Sequence, residues 1–128
     1  EFIVSDPDEY WWLDYLRNGG QVIWAHFIHS AFGKKRVVLE EYTKLAREGK
    51  WEEARQKWAS IQPVRDLLDE VFTGTLLRTA SYATATGYIK AWHEAMGMKA
   101  GPMLPPVRNL TPERKEWLKG ELKRVGVI

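Results

Sequence analysis

The chain has 128 residues, 45% apolar and 28% charged, the balance of a single globular domain rather than of a disordered chain. Nineteen Lys and Arg against seventeen Asp and Glu leave a net charge of +2, so bulk electrostatics gives no case for a nucleic-acid or anionic-membrane partner. The lack of cysteine excludes disulfides, thiolate metal sites and a cysteine nucleophile, and no apolar run approaches the ~20 residues of a membrane span.

Phe2-Ile3-Val4-Ser5 reads as a strand, ended by the turn Asp6-Pro7-Asp8. Glu9 to Arg17 follows as a helix, with Tyr10, Leu13 and Leu16 at helical spacing and Trp11, Trp12 and Tyr15 widening the apolar face. Asn18-Gly19-Gly20 stops it, because Gly takes the left-handed cap at no steric cost. Gln21 to Ile28 is nearly continuous in apolar character and reads as a second strand, buried on both faces. Strand, helix, strand in so short a span predicts a βαβ unit with parallel strands.

The rest reads as helical. Val38, Tyr42 and Leu45 share a face that ends near Gly49. Trp51, Ala54, Trp58, Ile61, Val64, Leu68 and Val71 hold a helical period past Pro63, which should kink or divide the helix. Thr73-Gly74-Thr75 reads as a break. Tyr82, Ala85, Ile89, Trp92 and Met96 form another helical face, closed at Gly97. Gly101 to Pro106 is a rigid proline loop, and Thr111-Pro112-Glu113 starts a last helix with an N-cap Thr and Pro at the first position.

Two parallel strands do not make a stable sheet alone. The chain also starts without a methionine or a basic leader, inside what reads as a strand. Together these lead to the expectation that further strands come from another polypeptide.

Few groups carry chemistry. Asp6, Asp8 and Glu9 cluster where the first strand ends. They could serve as acid and base or hold a divalent cation, or they could cap the next helix and complement its dipole. Trp24 and His26 share a face of the second strand, with His29 beyond. His26 is either a ligand-facing hydrogen-bonding group or a structural histidine. Three His without HExxH spacing make a poor metal set. Lys34-Lys35-Arg36 suits a solvated helix start. The Trp and Tyr stripe at 51, 58, 82, 88 and 92 suits a core or a subunit interface. Lys90, beside Trp92, suits a snorkelling surface lysine.

The order of these features resembles the C-terminal part of the dihydrodipicolinate synthase / N-acetylneuraminate lyase family. The residues that carry the likeness are Asp8-Glu9, Gly19-Gly20, the apolar strand after them, and Leu45 through Arg55. Ile89-Lys90-Ala91-Trp92 to Met98 and the run Lys99 to Pro106 add to it, the last pointing to the hydratase-aldolase branch. The resemblance spans essentially the whole chain. It implies part of a (β/α)8 TIM barrel, an α/β fold, in which residues 1–48 would be the last two βα units (strands 7 and 8) and residues 49–128 a C-terminal helical extension.

The resemblance further implies an imine-forming lyase or aldolase in the cytoplasm that joins or splits pyruvate or a related 2-oxo acid and an aldehyde. No cofactor is expected. The imine lysine is expected on strand six, outside these residues, so the catalytic set in this chain is none. A complementary chain with strands one to six is expected as partner, in a homo-oligomeric dimer or tetramer. Pro7, Ile23, Trp24 and His26 are the expected substrate-binding residues. Pro7 stands where the family usually has Gly and Trp24 where it usually has a small residue, which leaves room for a bulkier or aromatic aldehyde. A catalytically empty structural or regulatory subunit is the alternative.

Overall fold

The structure, a computed structural model, describes residues 5, 6, 8–24 and 30–128. Pro7, His26 and His29, and the parts of the two expected strands at 2–4 and 25–28, lie outside the described residues. The chain divides into two units, Glu1–Gln62 and Pro63–Ile128.

In the first unit, the Asp8 carboxylate accepts the Tyr10 backbone N–H at 3.1 Å and starts a 3-10 turn, Glu9–Trp11. Helix α1, Trp12–Arg17, continues from it and buries Trp12. Gly19, at φ +79°, ends α1, and the Gly20 N–H returns to the Tyr15 carbonyl at 2.7 Å. The chain then comes back beside its start. Strand β1, Ser5–Asp6, pairs in parallel with strand β2, Gln21–Val22, in the register Ser5↔Gln21 and Asp6↔Val22.

Among the described residues the pairing covers two residues of each strand, and the helical content around it corrects the barrel expectation. The structure is 68% helical and holds this one short strand pair among the described residues, so it is a small helical domain and not a part of a TIM barrel. The misreading has a physical source. A short apolar run has no period, and periodicity alone does not separate a strand of a large buried sheet from other buried chain. Ile23 and Trp24 follow β2 and are both half-buried.

Helix α2, Arg36–Arg47, is the centre of the first unit. Leu39, Tyr42, Thr43 and Ala46 are buried at the i, i+3, i+4, i+7 positions of one face. Val38 and Leu45 flank this face half-buried. Gly49, at φ +77°, turns the chain, with the Lys50 N–H bonded to the Leu45 carbonyl at 2.9 Å. Helix α3, Trp51–Ala59, packs back along α2. Ala54 is fully buried there, and Lys57 reaches Glu41 across the pair at 2.7 Å.

At the start of the second unit, helix α4, Gln62–Leu68, carries Pro63 in its first turn, where a missing N–H costs nothing. The division of the long helical run therefore falls at Ser60–Ile61, just ahead of the proline. A π-helical turn, Asp69–Thr73, leads directly into α5, Gly74–Thr79. The break expected at Thr73-Gly74-Thr75 is thus helical. A Cβ at Gly74 would stand 3.0 Å from Arg78 Nη1 and 3.3 Å from the Asp69 carbonyl, so glycine is what fits against the wide turn.

Ser81 caps α6, Tyr82–Ala95, by accepting the Thr84 N–H at 3.2 Å. This helix buries Ala85, Tyr88, Ile89, Ala91 and Trp92. The proline loop is tied down by Lys90 Nζ donating to the Pro102 carbonyl and by the Met103 N–H donating to Asn109, both at 2.7 Å. Helix α7, Pro112–Arg124, is capped by Thr111, packs on α6 and buries Leu118 and Leu122. Arg114 lies over the Trp117 ring at 3.9 Å and donates to Tyr88 Oη at 2.8 Å.

Candidate functional site

The parallel pairing sends the chain out of β1 and β2 at the same end. Asp8 and Glu9 follow β1 there, and Ile23 and Trp24 follow β2. The two acids then part. Asp8 is exposed and spends its carboxylate on the helix cap. Glu9 is 3% exposed and turned inward, where its carboxylate accepts the Tyr42 hydroxyl of α2. A buried carboxylate needs such a donor, because burial strips its water. No group of three or more His, Cys, Asp or Glu among the described residues could hold a metal ion.

Trp24 packs edge-on against Trp12, with ring centroids 4.8 Å apart, and Arg36 sits 5.6 Å from its ring centre. Trp12 also meets Tyr42 at 6.4 Å. Of the expected substrate residues, Ile23 and Trp24 therefore stand together beside this aromatic group, while Pro7 and His26 lie outside the described residues.

All ten lysines are described and none is buried. An imine-forming lysine must shed its proton near neutral pH, which desolvation or a neighbouring cation achieves. Lys50 moves the opposite way: its hydrogen bond to Glu48 raises its pKa. Lys57 and Lys115 are likewise ion-paired, to Glu41 and Glu94.

A cleft of about 520 Å³ lies between α1 and α3. It is lined by Tyr10, Leu13, Asp14 and Arg17 on one side and by Trp51, Glu52, Arg55 and Trp58 on the other. Tyr10 and Trp58 close one end with ring centroids 5.3 Å apart. Arg55 pairs with Glu52 at 3.0 Å, and that hydrogen bond holds the Glu52 carboxyl below the usual carboxylate range. Sequence reasoning missed this cleft. The signal was present in two facing stripes, Tyr10/Leu13/Arg17 and Trp51/Arg55/Trp58, each at helical spacing.

No helix among the described residues is long and apolar enough to cross a membrane. Compared with protein-family models, with curated proteins and with solved structures, the chain matches none.

Proposed function

We propose that the chain is one part of a cytoplasmic imine-forming lyase that acts on pyruvate or a related 2-oxo acid and an aldehyde, with the imine lysine supplied by a companion polypeptide. The reading rests on the ordered likeness from Asp8-Glu9 to Lys99–Pro106. One structural observation supports it most. The parallel pair releases Asp8-Glu9 and Ile23-Trp24, two of the segments that carry the likeness, at the same end. We assign Pro7, Ile23, Trp24 and His26 to the substrate side of the assembled enzyme, which we take to be a dimer or tetramer.

In such an enzyme the lysine condenses with the keto carbon and releases water. The resulting imine accepts the electron pair of the breaking or forming carbon–carbon bond, so the adjacent carbon acts as an enamine. The ten exposed or half-buried lysines of this chain suit a supporting role. That same observation favours the second reading, a catalytically empty structural or regulatory subunit.

Pyruvate release from aryl and alkyl 4-hydroxy-2-oxo acids separates the two. The chain purified with its companion should release pyruvate, and the chain alone should release none. An assembly that cleaves neither class of substrate leaves the empty-subunit reading standing and removes the lyase.

A further inference from the structure

We propose that the cleft between α1 and α3 binds a free aromatic α-amino acid. Its size, about 520 Å³, falls in the roughly 300–1,000 Å³ range of small-molecule pockets. Three aromatic side chains, Tyr10, Trp51 and Trp58, supply its walls. The Tyr10 and Trp58 rings meet at 57° at one end of the cleft, and an aromatic ligand would meet such walls in an edge-to-face or offset arrangement.

The charges narrow the ligand class. Four ionised side chains line the cleft: Asp14, Arg17, Glu52 and Arg55. Glu52 and Arg55 are committed to each other. Asp14 and Arg17 are three residues apart on α1, so they stand on the same side of the helix. Both are exposed, and neither side chain makes an ion pair among the described residues. A simple aromatic anion would meet Arg17 but also face Asp14. A simple aromatic amine would meet Asp14 but also face Arg17. A ligand that carries carboxylate and ammonium on one carbon satisfies both, with the carboxylate on the Arg17 guanidinium and the ammonium on Asp14. Its ring then lies toward Tyr10, Trp51 and Trp58. This site is separate from the strand ends assigned to the 2-oxo acid, and it stands or falls independently of the lyase reading.

Isothermal titration of the full chain with L-phenylalanine tests it, with 3-phenylpropionate, 2-phenylethylamine and L-alanine as controls. L-Phenylalanine should bind saturably with one site per chain. Each control lacks one of the three contacts and should bind at least about tenfold more weakly. Arg17→Gln and Asp14→Asn alter exposed side chains and should keep the native circular dichroism while weakening L-phenylalanine by a similar factor. Absence of saturable binding overturns the proposal. So do controls that bind as well as L-phenylalanine, or folded variants that retain full affinity.

Discussion

Trp12→Ala is expected to remove a large part of the stability of the first unit. Trp12 is 0% exposed, and its ring joins Trp24 at 4.8 Å to Tyr42 at 6.4 Å. Truncating a buried Trp costs ~3–5 kcal/mol, through lost transfer energy and an unfilled cavity. Small domains hold only ~5–15 kcal/mol in total. Among the described residues, Trp12 is the buried residue of the six-residue α1. Urea unfolding should show a large drop in midpoint, and amide exchange across residues 36–47 should accelerate. Trp12→Phe, which keeps a ring in place, should recover a good part of the loss. An unchanged midpoint for Trp12→Ala would show that the ring is not packed as described.

Tyr42→Phe should give the next largest effect. Tyr42 is 0% exposed and its hydroxyl donates to Glu9, itself 3% exposed. The substitution keeps the ring and its packing but takes a donor from a buried carboxylate. Loss of a hydrogen bond to a charged, buried group costs about 1–3 kcal/mol. The two residues are 33 positions apart, so the contact ties the start of α1 to the middle of α2. Glu9→Gln combined with Tyr42→Phe should therefore cost less than the sum of the single changes, because they break one shared interaction. Additivity within about 0.3 kcal/mol would deny the coupling.

Local chemistry made several elements legible. Asp8 and Thr111-Pro112 cap helices, and Gly19, Gly49 and Gly97 end them at positive φ. The faces of 36–47, 82–95 and 112–124 follow from the 3.6-residue period. Two features were not readable. The run after Gln21 suggested a long buried strand because its apolar residues satisfy either environment, and among the described residues the paired part is Gln21–Val22. Thr73-Gly74-Thr75 looked like a break because Gly and β-branched residues are poor helix formers, yet packing carries the helix through a π turn.

The candidate site divided in the same way. The acids after β1 were visible, and so was the capping role that Asp8 performs. The Glu9–Tyr42 contact and the α1–α3 cleft were not, because both depend on α1 and α3 each packing on α2. Those contacts are long-range: helical spacing shows each stripe, and nothing local says that the two face each other. Of the seven Trp, Trp12 and Trp92 are fully buried, while Trp51 and Trp58 line the cleft.

Borohydride trapping tests the lyase reading most directly. The protein purified from its native source would be treated with pyruvate and sodium borohydride, then mapped by peptide mass. On that reading the imine lysine belongs to a companion chain, so the reduced pyruvate adduct should fall on a co-purifying polypeptide and leave all ten lysines here unmodified. An adduct on any of these ten lysines, or no adduct on any polypeptide in the preparation, would contradict it.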